Sequence, residues 1–253
     1  MTQRPADRFE GNACPPAETP SREGSLTNKG REAARTHSLY EWERQMREGF
    51  RYIAGVDEAG RGPMAGPVVA AAVMLPEAPE IVGIDDSKKL APVKRERLFQ
   101  VILDECLAFG IGIRSAKFVD EKGIAEATHS AMRDAVGMLA ARGIVPDLVL
   151  VDGYLIKGLD LRQEAIVKGD AKAASIACAS IIAKVVRDRI MREYDILYPK
   201  YGLGTHKGYC TGEHRALLHE LGPSPIHRRS YQPVSESIAA GSAALDGAGE
   251  DLT

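Results

Sequence analysis

Residues Ile53 to Val69 read IAGVDEAGRGPMAGPVV: an apolar run closes on Asp57-Glu58, passes through a glycine-rich loop and resumes as a second apolar run. The pattern predicts a strand over Tyr52 to Val56 with acids at its end, and a partner strand over Val68 to Met74. Successive side chains on a strand face opposite ways, so Asp57 and Glu58 can serve one site only if the chain bends or leaves the sheet there. Gly60 and Gly62 permit that bend. Carboxylates held at a strand end beside exposed backbone suit metal and phosphate chemistry.

Working outward, Leu39, Trp42, Met46 and Phe50 recur at helical spacing and predict a short helix leading into the first strand. Pro92 to Cys106 predicts a helix with proline in its first turn, Ala108 to Phe118 a strand, and Ile124 to Arg142 a second helix. Leu148 to Val151 is wholly apolar, as a strand buried on both faces would be, and a further strand is expected near Glu164 to Val167. Ala174 to Tyr194 predicts a long helix with Ile182, Val186, Ile190 and Tyr194 on one stripe, and Gly212 to Leu221 a last one. Strands mixed with helices in this order give an α/β domain with a central mixed sheet flanked by helices and a small C-terminal helical region. Residues 1–37 and 233–253 have the composition of disordered ends, the latter acidic, leaving 38–232 as the folded domain.

The chain has 253 residues with 44% hydrophobic content, enough for one substantial core. A formal charge of −2 does not by itself indicate a nucleic-acid binder. The charge is uneven, however: Lys184 to Gln232 holds nine Lys/Arg against five Asp/Glu, so a local basic surface is compatible with the near-neutral whole. Cys14, Cys106, Cys178 and Cys210 form no C-x-x-C pair, which points away from zinc and disulfide frameworks and toward a reduced, cytoplasmic protein. The longest apolar stretch, Met64 to Leu75, is too short to span a bilayer, and Thr2 to Asn28 lacks the apolar core of an export signal. No G-x-x-x-x-G-K-[ST] pattern occurs, which disfavours a P-loop nucleotidase.

Asp57 to Gly62 with Gly66 to Val69 closely resembles the signature of bacterial ribonuclease HII. The resemblance recurs in order at Asp85 to Leu90, Leu148 to Gly153, Lys168 to Lys172, Ser175 to Arg189, His206 to Tyr209 and Gly222 to Ser230, and so covers roughly Leu39 to Tyr231. It implies a ribonuclease H-like fold, with 38–232 as the catalytic domain. It also implies an endonuclease that hydrolyses the RNA strand of RNA/DNA hybrids and nicks duplex DNA 5′ of embedded ribonucleotides, in the service of ribonucleotide removal. Asp57, Glu58, Asp152 and Asp170 are implied as catalytic ligands of two divalent ions, Mg²⁺ or Mn²⁺, a choice that suits oxygen donors without Cys or His.

By the same resemblance Gly60, Arg61 and Gly62 read the ribonucleotide, and Tyr209 packs on the sugar that follows it. Lys88, Lys172 and Lys184, with Lys89 and Arg187, are candidate phosphate contacts. A monomer is expected, as is a protein that could touch a replication clamp. Taken singly, each acid also has an ordinary reading: a strand end for Asp57-Glu58, a turn for Asp152-Gly153, a helix-start residue for Asp170. Their joint placement in the spaced motifs favours the site. A ribonuclease HIII and a non-catalytic nucleic-acid-binding module are the rival classes. The Gly-Arg-Gly loop speaks against the first, and four acids that repel phosphate unless metal is bound speak against the second.

Overall fold

The computed structural model describes residues 27–141 and 143–247. Helix α1 (Asn28–Met46) leads to strands β1 (Ile53–Ala59) and β2 (Val68–Met74), helix α2 (Pro92–Glu105), strand β3 (Ala108–Arg114), helix α3 (Ala116–Ala141) and strands β4 (Leu148–Asp152) and β5 (Gln163–Ile166). Helices α4 (Ala174–Leu197), α5 (Leu203–His206), α6 (Gly212–Leu221) and α7 (Gln232–Gly247) complete the chain. The five strands form one mixed sheet in the order β3-β2-β1-β4-β5. β1 pairs antiparallel with β2 and parallel with β4, whose own outer neighbour β5 is also parallel.

Alternation along the central strands sends side chains to two cores. Val69, Ala71 and Val73 of β2 pack with Leu98 and Ile102 of α2 and Ile181 and Val185 of α4. Ala70, Ala72 and Met74 pack on the other face with Ala131, Ala135 and Leu139 of α3. Gly55 is required by this arrangement: a Cβ there would strike the backbone of Ser175 and Ile176, so glycine lets the start of α4 rest directly on β1.

Several boundaries differ from the sequence expectation. Asn28 to His37, expected to be disordered, belong to α1, where the Thr27 hydroxyl accepts from the Gly30 amide at 3.2 Å. The helix is held by long-range contacts that composition does not reveal: buried Thr36 accepts from the Gly83 amide, and buried Glu43 accepts from the Ser175 amide at 2.7 Å. The strand expected over Ala108 to Phe118 stops at Arg114, because the Ser115 hydroxyl accepts from the Phe118 amide and starts α3. α3 then kinks at Gly123, where φ is 80°. Residues 1–26, part of the expected disordered extension, lie outside the described residues.

The tail expected to be disordered from residue 233 instead carries α7. Buried Val234 and partly buried Ile238, one turn apart, pack with Met64 and Leu218, and the Ser237 hydroxyl donates to the Leu218 carbonyl at 2.9 Å. Alanine-rich composition fits helix as well as disorder, and two apolar residues decide between them. Deleting residues 235–253 is therefore expected to lower the melting temperature by roughly 2 to 4 °C, taking about 1 kcal/mol for the partly buried isoleucine and its neighbours. A thermal scan of the truncated chain checks this, and an unchanged midpoint would show that α7 beyond Val234 adds nothing.

Candidate active site

β1 does not bend at its acids. It continues through Ala59, with Asp57 opposite Ala71 and Glu58 opposite Ala70 of β2, so the two carboxylates face opposite sides of the sheet. Val56 pairs with Val151, which sets the next residues, Asp57 and Asp152, side by side just past the last pair of the parallel ladder. A single 3₁₀ turn, Gly169–Ala171, brings Asp170 in ahead of α4. Asp57, Asp152 and Asp170 each offer a carboxylate oxygen within 4.8 Å of the others. Glu58 stands apart from that trio but lines, with Asp152 and Asp170, a cleft of about 490 Å³, together with Asp86, a fifth acid that the sequence reading did not single out.

Backbone amides orient two of the acids: Asp57 Oδ1 accepts from the Glu58 amide at 2.7 Å and Asp152 Oδ1 from the Gly169 amide at 2.6 Å. Burial, then repulsion from Glu58 and Asp152, raises the Asp57 carboxyl well above its ordinary range. Glu58 is raised chiefly by burial, against the pull of Arg61, whose Nη1 lies 3.4 Å from its Oε1. Asp170 is raised by burial and by Asp86 and Asp152, with Lys88 Nζ opposing from 4.0 Å. Desolvated like charges converging at one point, with only oxygen donors, fit a hard divalent cation and no soft one.

The glycine loop beside the acids is built from behind. Gly60 has φ 97°, which L side chains rarely adopt, and a Cβ there would also meet the Arg187 side chain. Fully buried Arg228 donates to the carbonyls of Gly60 at 2.6 Å, Arg61 at 2.9 Å and Gly66 at 2.9 Å. Arg187, a candidate phosphate contact, is also buried. It donates to the carbonyls of Ala65, Pro67 and Lys207, tying the loop to the segment that carries Tyr209. Arg61, its carbonyl engaged inside, and Gly62 lie on the exposed side of the loop. Tyr209 is 45% exposed, and its ring edge lies 4.0 Å from where a Gly62 Cβ would sit.

The cations separate into two groups. Lys88 and Lys89 line the acidic cleft, as does Lys168, an unforeseen member held at φ 56°. Burial alone would lower the Lys88 ammonium, but the fields of Asp86, Asp57, Asp170 and Asp152 outweigh it and raise it. Lys184 is engaged with Asp188 at 2.6 Å, an i,i+4 pair whose spacing was visible in the sequence. Lys172 is exposed and lies outside the residues lining the cleft.

Behind Tyr209, His214 and His227 are buried with their Nε2 atoms 3.0 Å apart, and burial first, then neighbouring imidazoles, pushes each down to about 4. Both groups are neutral in the fold and in the unfolded chain above about pH 6.5. Below that the unfolded chain takes up protons first, so stability present above pH 6.5 is lost as pH falls toward 4, at roughly 1.4 kcal/mol per pH unit for each imidazole. Melting temperatures measured between pH 7 and 4.5 should fall more steeply than those of a His214→Asn variant.

A mixed sheet flanked by helices, with acids side by side on two adjacent parallel strands where their pairing ends and a third on the turn ahead of α4, defines a nuclease of the ribonuclease H fold. The crystal structure of the ribonuclease H2 from Pyrococcus horikoshii matches it with a TM-score of 0.65 at 30% identity, covering 74% of this chain and 97% of that one. The structure of the PCNA:RNase HII complex from Archaeoglobus fulgidus matches at 0.57 and 29% identity, covering 70% and 92%. A sequence model of the family described as Ribonuclease HII matches residues 54–234. A ribonuclease HII from Geobacter sulfurreducens is 52% identical over 195 residues, covering 77% of this chain and 88% of the relative. The chain belongs to the ribonuclease HII family and is an enzyme of the ribonuclease H type. No helix among the described residues is long and apolar enough to cross a membrane.

Proposed function

We propose that this enzyme hydrolyses the RNA strand of RNA/DNA hybrids and nicks duplex DNA on the 5′ side of an embedded ribonucleotide, leaving a 3′-hydroxyl and a 5′-phosphate, and so removes ribonucleotides from DNA. The observation that carries this reading is the convergence of Asp57, Asp152 and Asp170 within 4.8 Å beside a loop whose carbonyls are pinned inward. These three acids, with Glu58 on the cleft that Asp152 and Asp170 also line, would hold two ions, Mg²⁺ or Mn²⁺. When bound, such ions activate a water and stabilise the departing oxygen. The protein's part is to orient: the Glu58 and Gly169 amides fix Asp57 and Asp152, and Lys88 and Lys168 draw phosphate toward an otherwise acidic cleft.

The loop Gly60-Arg61-Gly62 approaches the ribose 2′-hydroxyl, which small residues allow, and the Tyr209 ring packs on the deoxyribose that follows. Tyr209→Ala is expected to cut cleavage at a lone ribonucleotide about 10- to 100-fold, in line with the roughly 1 to 3 kcal/mol of an aromatic contact to nucleic acid. Uniform hybrids, which present ribose at that position, should suffer less, and Tyr209→Phe should retain more activity than Ala. Equal loss on both substrates would remove Tyr209 from junction reading.

Incubation with Mg²⁺ and a duplex carrying one ribonucleotide, against an all-DNA control, tests the function as a whole. Cleavage of both or of neither would overturn it. The chain acts as a monomer in the cytoplasm on this reading. A contact with a replication clamp is supported by the archaeal complex alone.

A further inference from the structure

Three histidines behind the substrate loop form one connected cluster: His214 and His227 are hydrogen-bonded to each other, and His206 joins them by stacking on His214. His206 Nε2 lies 2.7 Å from the Tyr201 carbonyl, and its Nδ1 accepts from the Gly208 amide at 3.2 Å. Its ring stacks on His214 with centroids 4.0 Å apart. His214 Nδ1 lies 2.9 Å from the Tyr209 carbonyl, and its Nε2 meets His227 Nε2 at 3.0 Å. His227 Nδ1 faces the Ser224 amide at 3.1 Å and the Ser224 hydroxyl at 2.8 Å.

The partners leave one consistent set of protons. A carbonyl can only accept, so His206 carries its proton on Nε2 and His214 on Nδ1. Neutral His214 must then accept at Nε2, which requires His227 to donate from Nε2 and to accept from Ser224 at Nδ1. Every ring nitrogen is satisfied with all three imidazoles neutral, and an extra proton on His214 would set two N–H groups against each other. Burial holding His214 and His227 near 4 agrees with that state.

We propose that His206, His214 and His227 act as positioning residues for ribonucleotide recognition, fixing the Gly208 amide and the Tyr209 carbonyl so that the Tyr209 ring stands against the Gly-Arg-Gly loop. The Gly208 carbonyl in turn accepts from the Met64 amide at 3.0 Å, so the chain of contacts runs from Ser224 to that loop without a gap. The inference rests on the reading of Tyr209 given above.

The test compares His214→Phe, which keeps a ring but loses both nitrogens, with His214→Asn, whose side-chain amide can still donate to the Tyr209 carbonyl. Steady-state kinetics are measured on a duplex with one ribonucleotide and on a uniform RNA/DNA hybrid, below each variant's melting temperature. The Phe variant should raise KM for the single-ribonucleotide duplex at least tenfold while kcat on the hybrid changes less than threefold, and the Asn variant should restore most of the difference. Should His214→Phe not fold, His227→Phe decides in its place, since it frees His214 to take the other tautomer and should shift the same ratio in the same direction. Equal losses on both substrates, or wild-type selectivity in the Phe variant, would overturn the proposal. Imidazole ¹⁵N spectra of the wild type should show His214 protonated on Nδ1 and the other two on Nε2, and His214 protonated on Nε2 would equally overturn it. Failure of the wild type itself to nick at a lone ribonucleotide would instead refute the functional reading of the site.

Discussion

Asp57→Asn is expected to silence cleavage and, at the same time, to raise the melting temperature of the metal-free protein. Asp57 is 4% exposed, and burial and its acidic neighbours hold its carboxyl well above the ordinary value. A carboxyl raised in the fold binds its proton more tightly there than in the unfolded chain, so it costs stability as pH climbs from about 4 through the raised value. At neutral pH that cost weighs on the fold. Asparagine keeps the shape and removes the charge, so the metal-free variant should melt several degrees higher, at roughly 2 to 4 °C per kcal/mol in a chain of this size.

Activity should fall by more than about a hundredfold, because even the loss of a group that only supports a metal ligand typically costs 10- to 100-fold. Adding Mg²⁺ or Mn²⁺ should stabilise the wild type more than the variant, since binding to the native state alone raises its melting point. Asp152→Asn and Asp170→Asn should match the activity loss. Near-normal turnover by any of the three at saturating metal would take that residue out of the site.

The second large effect falls on a residue away from the acids. Arg228→Lys should destabilise the protein by about 3 to 5 kcal/mol, because it breaks a buried charged contact and leaves carbonyls without their donors. One guanidinium reaches the carbonyls of Gly60, Arg61 and Gly66 and the Tyr231 hydroxyl, whereas a lysine ammonium is a single point on a flexible stem. Even well below its melting temperature the variant should lose selectivity for a lone ribonucleotide more than overall nuclease activity, since the loop is released while the acids stay. Denaturant unfolding and the ratio of rates on the two substrates check the two halves separately.

How much of this was legible in the sequence depends on whether the signal was local. The strands around Asp57 and Asp152 and the helices α2 and α4 announced themselves by periodicity, and acids at the ends of neighbouring strands pointed to convergence. The bend expected between Asp57 and Glu58 does not occur, because pairing of Glu58 with Ala70 keeps β1 in the sheet. Ser115 was a readable cap that an apolar run obscured. α1 was missed at its start, and α7 altogether, because their evidence is tertiary: Thr36 against Gly83, Glu43 against Ser175, Ile238 against Met64 and Leu218. The roles of Arg187 and Arg228 were likewise hidden, since each joins segments far apart in the chain and no window of sequence contains both ends of such a contact; the histidines lie closer together, but their spacing matches no motif that announces their pairing.

The Arg228 clamp also bears on how the protein is made. Asp57, Asp152 and Asp170 leave the ribosome within roughly the first two thirds of the chain, whereas the side chain that shapes the glycine loop arrives near the end. A polypeptide interrupted before residue 228 would carry every acid of the cluster without the group that holds the glycine loop. Synthesis therefore delivers the acids of the cluster before the side chain that braces the loop beside them, so that loop can take its final shape only once the chain is nearly finished.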